Sequence, residues 1–155
     1  MMKLSEGQKG AWAAMLIAQA RINQLCERAM VDSGHVPLDV YDVLVTLEMA
    51  DGHKLKMSEL ADRVLLSRSG ITRLVDRLEA KGWIRREACP SDKRCLFAHL
   101  TADGQKVREE AWVVLEPMLA QTWGVAVNEE KAVELRKFFE GLVPGQMGCK
   151  KQGHV

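Results

Sequence analysis

Long apolar runs are the first thing this sequence of 155 residues lacks. The longest, "AWAAMLIA" from Ala11 to Ala18, falls far short of the roughly 20 apolar residues a membrane-spanning helix needs. A bilayer span is therefore excluded. No basic segment leads into an apolar stretch with a small-residue cleavage site, so no signal peptide is expected and the cytoplasm is the expected location. Cysteine is scarce too. The four present are irregularly spaced, which speaks against a disulfide scaffold and for thiols kept mostly reduced. Internal repeats and low-complexity tracts are absent, and net charge is close to nil, with 22 Lys/Arg against 21 Asp/Glu.

What is present describes a globular chain. Residues of hydrophobic type make up 47% and charged ones 28%, too apolar for disorder and enough for one domain with a real core. The small net charge conceals an asymmetry. Between Lys54 and Arg94 there are eleven basic and six acidic residues, while the rest of the chain holds eleven basic and fifteen acidic ones. A basic middle between acidic ends points to an anionic partner, nucleic acid first.

Periodicity places the elements. "SEGQ" (Ser5 to Gln8) has capping-box spacing and opens a helix expected to reach about Val31, with Gly34 and Pro37 as stop signals. Its first half is apolar nearly all round, so it needs cover on more than one side; a partner subunit is the natural source. Asp39 is expected to cap a second helix, on which Val40, Val43, Leu44 and Leu47 recur at helical spacing. "KLKM" (Lys54 to Met57) reads as a short extended piece. Ser58 is expected to cap a short helix carrying Leu60, Ala61 and Val64, and after a break at Leu66-Ser67 comes a helix from Arg68 to Lys81. Ile71, Leu74, Val75 and Leu78 line one side of that helix, and Gly82 stops it.

The period then changes from helical to alternating. "WIRREAC" and "CLFAHL" read as two strands joined by "PSDKR", a β-hairpin. Leu96, Ala98 and Leu100 share one face of the second strand; Cys95, Phe97 and His99 share the other. Thr101 begins a long helix expected to bend at Pro117, and a last helix covers roughly Asn128 to Leu142. The glycine-rich tail, 144–155, is expected to be disordered.

Two short helices, a tight break and a hairpin follow the order of a winged helix-turn-helix. The helix from Arg68 to Lys81 supports this on chemical grounds. Opposite its apolar stripe it carries Ser69, Thr72, Arg73, Asp76 and Arg77. Short hydroxyl residues allow close approach to a major groove, and Arg suits guanine edges or phosphate. At the helix start, Ser67 and Arg68 add free backbone N–H groups and a cation for phosphate. Alone, such a face is an ordinary solvated helix surface; the neighbouring helix and charged hairpin favour the DNA reading.

The stretch "MSELADRVLLSRSGITRLVDRLEAKGWIRREACPSDKRCLFAHLTADGQ" resembles the core of the multiple-antibiotic-resistance regulator (MarR) family. The matching positions run from Ile71 through Glu79, then Gly82, Arg86, Asp92, Arg94, Leu100-Thr101 and Gly104. "PLDVYDVLVTL" resembles the helix before them, although Asp39 stands where a threonine is usual, and the likeness covers about residues 8 to 142. The resemblance implies a mainly α fold with a small β-hairpin wing: a winged helix-turn-helix lobe over 38–101, and N- and C-terminal dimerisation helices over 5–36 and 102–143. It also implies a homodimer, a sequence-specific regulator of transcription and most often a repressor, on a pseudo-palindromic double-stranded DNA operator. By the same resemblance Arg94 reaches into the minor groove with Lys93 beside it, and Asp92 braces Arg94 through a salt bridge. A narrow minor groove concentrates negative potential and favours an inserted Arg, whose planar fork a carboxylate can fix.

Cys89 and Cys95 flank the hairpin tip. Strand parity puts Cys89 with Arg85 and Glu87, and Cys95 with Phe97 and His99, both away from the core face, where the pair is within disulfide reach. A reversible redox switch follows as a hypothesis. Zinc held by Cys89, Cys95 and His99 lacks a short-spaced ligand pair and a fourth ligand. Cys26 reads as a buried small hydrophobe, and Cys149 falls in the tail. Relatives by resemblance release DNA when a small aromatic ligand binds between the lobes; Trp12, His35, Tyr41 and Trp112 are the residues placed to line such a pocket, or else to pack. No cofactor is expected. Two competing readings remain: a winged-helix protein-interaction module that has lost DNA binding, which the basic residues oppose, and an enzyme, for which no local Cys or Ser nucleophile signature exists.

Overall fold

The computed structural model describes residues 3–64, 68–89 and 92–143, with the side chains of Arg68, Asp92, Lys93 and Arg94 outside that description. The chain is mostly helical, with one small sheet.

Helix α1 runs from Glu6 to Asp32. Its start is the expected capping box: Ser5 Oγ accepts the Gln8 N–H at 3.2 Å and Gln8 Oε1 accepts the Ser5 N–H at 2.8 Å. Beyond the helix, Gly34 adopts φ +70°, a left-handed conformation that glycine takes without a Cβ clash. Of α1 only Cys26 and Met30 are buried. Its first half stands clear of the rest, with Ile17 71% exposed and Trp12 58%.

Helix α2, Leu38–Glu48, corrects the first capping expectation. Pro37 occupies the cap position, and Asp39 lies inside the first turn. The free Leu38 N–H is taken instead by Glu27 Oε2 of α1 at 2.8 Å. The cap comes from eleven residues away, which local spacing does not reveal.

A tight turn leads to strand β1, Lys54–Lys56, and then to α3, Met57–Arg63. Ser58 is not the cap of α3: the helix begins one residue earlier, and the Lys56 N–H at its start donates to Glu59 Oε2 at 3.4 Å. Helix α4, Arg68–Ala80, ends at Gly82 with φ +75°. The expected break at Leu66-Ser67 lies outside the described residues. The hairpin forms as β2, Ile84–Cys89, and β3, Asp92–Leu100. It is joined by β1 into a three-stranded antiparallel sheet of order β1-β3-β2. Leu55 and Arg86 both lie opposite Ala98.

The core of this lobe closes on itself. Val43, Leu44 and Leu47 of α2, Leu60 of α3, Ile71, Leu74, Val75 and Leu78 of α4, and Leu55, Ile84 and Ala98 of the sheet form one buried cluster. A second, smaller cluster joins Cys26 and Met30 of α1 to Tyr41 of α2 and to Ala111 and Leu115 of helix α5, Ala102–Leu119.

Pro117, where a bend was expected, lies inside helix α5, and a wide-turned π segment follows at Ala120–Gly124. Helix α6, Glu129–Leu142, starts at Asn128, whose Oδ1 accepts the Lys131 N–H at 3.0 Å. None of its residues is buried. The tail 144–155 is outside the described residues, and no helix among the described residues is long and apolar enough to cross a membrane.

Candidate nucleic-acid interface

Helix α4 is sharply two-faced. Ile71, Leu74, Val75 and Leu78 are at most 2% exposed, while Ser69, Thr72, Arg73, Asp76 and Arg77 are all exposed. The apolar stripe anchors the helix on the core, and the hydroxyl and guanidinium groups point outward as the sequence implied. Arg77 is loosely tied: its guanidinium is 3.9 Å from Asp39 Oδ2 and its side chain 66% exposed, so the cation stays available to an anion.

Asp76 is tied across to the wing. Its carboxylate is paired with Arg86 of β2, whose Nε lies 3.5 Å from Glu79 Oε2 and whose backbone N–H donates to Glu79 Oε1 at 3.0 Å. Arg86 is only 22% exposed. It clamps two carboxylates of α4 to the root of the wing, and it neutralises charges that would otherwise repel phosphate. Asp76 thus helps to hold the helix against the wing, with its own side chain still 55% exposed on the outer face. Arg86 stands in the matched motif but was missed as a site residue, because its role depends on how β2 lies against α4.

A second joint fixes the far end of the wing. The Thr101 N–H donates to the Trp83 carbonyl at 3.1 Å, and the Thr101 hydroxyl donates to the Gly82 carbonyl at 2.7 Å while accepting the Gly104 N–H at 3.0 Å. A Cβ on Gly104 would sit 2.1 Å from the Trp83 carbonyl oxygen. Only glycine allows that approach. Gly82, Thr101 and Gly104 are therefore scaffold positions, whereas Thr72, Arg73 and Arg77 are surface ones.

Of the remaining expected contacts, Ser67 lies outside the described residues, as do the side chains of Arg68, Asp92, Lys93 and Arg94. The β2–β3 hairpin that carries the last three is in place beside α4.

The cysteines of the hairpin are bonded to one another, with Cα atoms 5.3 Å apart. Cys89 is 5% exposed yet belongs to neither core cluster, and the ladder breaks at Ala88/Cys89, where Cys89 pairs with Asp92 instead of continuing in step. Zinc has no ligand set here, since both thiols are used and His99 Nε2 lies 2.8 Å from Glu87 Oε2. Burial, then the nearby Arg85, holds the His99 pKa below its usual value, with Glu87 opposing. Cys26 is buried at 6% exposure, as expected, and burial pushes its thiol pKa up.

The four residues proposed to line a ligand pocket are not all gathered in one place. Tyr41 and Trp112 belong to the second core cluster, where they pack. Burial pushes the Tyr41 pKa up to about 12. His35 is half-buried, and its backbone N–H closes the end of α1 on the Met30 carbonyl at 2.9 Å. Trp12 is exposed and about 21 Å along α1 from Cys26 at 1.5 Å per residue. A recess of about 380 Å³ opens instead between α1 and the segment after α5, lined by Arg21, Ile22, Leu25, Trp123 and Val127 among others. Between the two clusters, Glu48 of α2 pairs with Arg108 of α5, with side chains 12% and 19% exposed. That link was also illegible in the sequence.

Comparison with known proteins bears on this arrangement. A family model described as MarR family matches residues 39–96, the span from α2 into β3. Transcriptional repressor MprA of Escherichia coli (strain K12) is 35% identical over 92 residues, 59% of this chain and 52% of that protein. The chain thus spans about half the length of that relative. The HTH-type transcriptional regulator PrsX of E. coli is 27% identical over 83% of this chain and 84% of its own length. Among solved structures, Sco3205 from Streptomyces coelicolor, a MarR family transcriptional regulator in complex with DNA, superposes with a TM-score of 0.74 at 30% identity, covering 94% of each chain. AbsC from the same organism, also a MarR family transcriptional regulator, gives 0.74 at 25% identity, over 92% of this chain and 95% of that one. With a MarR family model matching from α2 into β3 and a MarR family regulator of known structure covered over 94% of its length at 30% identity, the chain belongs to the MarR family.

Proposed function

We propose that this protein is a sequence-specific double-stranded-DNA-binding regulator of transcription that acts as a homodimer, and that it represses. The observation that carries the reading is α4: a helix locked to its core by four buried residues and clamped by Arg86, presenting Thr72, Arg73 and Arg77 to solvent beside a hairpin. Such a helix fits a major groove, with Ser69 and the helix start near phosphate. Ser67, Arg68, Lys93 and Arg94 extend the contact, Arg94 into the adjacent minor groove with Asp92 as its brace.

The dimer is supported by what one subunit leaves uncovered. Ile17, Trp12, Phe138 and Leu142 on α1 and α6 are 57–71% exposed, large apolar side chains of the kind that mark an interaction surface when they are left uncovered. A two-fold axis then sets two α4 helices about one turn of DNA apart, and the operator is a pseudo-palindrome. MprA is named a transcriptional repressor, and a dimer seated over a promoter blocks polymerase, which supports the sign of regulation. The effector is a small aromatic ligand that favours the DNA-free arrangement of the two lobes.

The test is a binding selection on random duplexes, run with and without small aromatic acids. The expected product is one palindromic site whose affinity falls steeply with salt. Retention of duplex without any enriched sequence, or no retention, overturns the reading and leaves a protein-interaction module.

A further inference from the structure

We propose that the ion pair between Glu48 and Arg108 is a positioning pair that sets which spacing of operator half-sites the dimer accepts. The inference rests on the DNA-binding dimer proposed above. It starts from where α2 sits. On one side α2 carries the core of the lobe through Val43, Leu44 and Leu47. On the other it joins the cluster shared with α1 and α5 through Leu38, Tyr41 and Val45. The lobe that presents α4 is thus mounted on the outer helices through α2.

Polar ties hold α2 at both ends. At its start the Leu38 N–H donates to Glu27 Oε2 of α1 at 2.8 Å. In its last turn Glu48 pairs with Arg108 of α5. The helix has 11 residues, so the two ties stand about 15 Å apart at 1.5 Å per residue. One tie alone would leave the lobe free to swing about it; two fix its angle.

The ties differ in character. Glu27 puts a carboxylate at the positive end of α2, where the helix dipole favours it, whereas Glu48 puts one at the negative end, where the dipole opposes it. The Glu48 and Arg108 side chains are only 12% and 19% exposed, so both charges have given up most of their water. Arg108 Nε is buried without a hydrogen-bond partner among the described residues. Such a pair adds little net stability, because apolar side chains of similar size would hold the site at least as well. What it adds is direction. Tyr41, Ala111 and Leu115 beside it pack by apolar contact, which has no preferred direction, while a guanidinium fork facing a carboxylate does. In a two-fold dimer any swing of the lobe is applied twice and moves the two α4 helices relative to each other. One extra base pair between half-sites displaces them by about 3.4 Å and turns them by roughly 34°. A lobe held at one angle rejects that change, and a lobe free to swing follows it.

The experiment measures the affinity of the full chain for duplexes that carry the half-sites from the selection described above. The spacing is left as selected, shortened by one base pair or lengthened by one. The wild type is expected to lose on the order of tenfold on either altered spacing, and Glu48→Leu with Arg108→Met to stay within about threefold across all three. Urea unfolding of that double variant is expected at or above the wild-type midpoint. Glu48→Gln keeps the shape of the side chain without its charge; it is expected to fall between the two and serves as the test if the double variant does not fold. Leu44→Ala weakens the lobe away from this joint and is expected to keep the wild-type spacing profile. The wild-type profile in the double variant, or in Glu48→Gln where only that one folds, overturns the proposal, and so does a profile broadened equally by Leu44→Ala. A wild type that selects no duplex overturns the DNA-binding reading and this proposal with it. A wild type that selects a palindrome, with variants that keep its spacing, overturns this proposal alone.

Discussion

The winged lobe and the pair of outer helices solve the burial problem in opposite ways. In the lobe, α2, α3, α4 and the sheet turn every apolar stripe onto a common cluster, so that Leu44, Leu47, Leu60 and Val75 have no exposure at all. Helix α6 buries nothing, and Phe138 and Leu142 on it stand more than half exposed. The same rule governs both regions, since apolar area stabilises only when removed from water. The lobe finds its cover within the chain; on the reading proposed above, α1 and α6 take theirs from a second copy.

That contrast can be broken from either side. The largest effect is expected in the lobe: Leu44→Ala empties a fully buried site and costs about 2–5 kcal/mol, read as a lowered midpoint in urea for all variants of similar solubility. At the outer helices, Trp12→Asp with Phe138→Asp is expected to cost about 2–4 kcal/mol of association. Sedimentation should then show a monomer whose lobe still melts cooperatively, and an intact dimer would refute the assignment of those faces. On the surface of α4, Arg73→Ala and Arg77→Ala are each expected to cost about 1–3 kcal/mol of operator affinity. A phosphate contact lowers the salt slope for every sequence, whereas a base contact relaxes one operator position.

Smaller effects sharpen the boundary between the two regions. The sequence contains a single tyrosine, Tyr41, which sits in the cluster joining α1, α2 and α5 with its pKa raised from 10.0 to about 12. Because the folded pKa lies above the unfolded one, the folded state holds the proton longer; stability is full below pH 10 and declines as pH rises from 10 towards 12. An ultraviolet titration of the phenol should show its midpoint near 12 in the native protein and near 10 in denaturant. Thr101→Ala removes the α5 cap and its bond to Gly82, and is expected to cost about 1 kcal/mol, visible as a modest fall in melting temperature.

How much of this was legible in the sequence follows from the range of the interactions involved. The two faces of α4 come from residues three and four apart, and the hairpin from alternation, so both could be read directly. The Ser5 and Asn128 starts are likewise local. Asp39 misled because the true partner of α2's first N–H is Glu27, brought there by the crossing of α1 and α2. The partner of Asp76 was hidden for a similar reason: its neighbour across space, Arg86, is ten residues on, and periodicity on one element says nothing about the next. Strand β1 is three residues long, and as a string "KLKM" contains too few alternations to name a partner. The cysteines were paired by parity, but the broken register that buries Cys89 was not foreseeable from parity.

One joint has a mechanical consequence. Strand β3 runs into α5 through Thr101, which holds Gly82 and Trp83 on one side and Gly104 on the other, with no room for a methyl group between α5 and the Trp83 carbonyl. There is no slack in that corner. Helix α5 and the wing therefore turn as one piece, like the arm and blade of a lever whose fulcrum is the second core cluster. A small rotation of α5 would be delivered through Thr101 to the strands β2 and β3 that it carries.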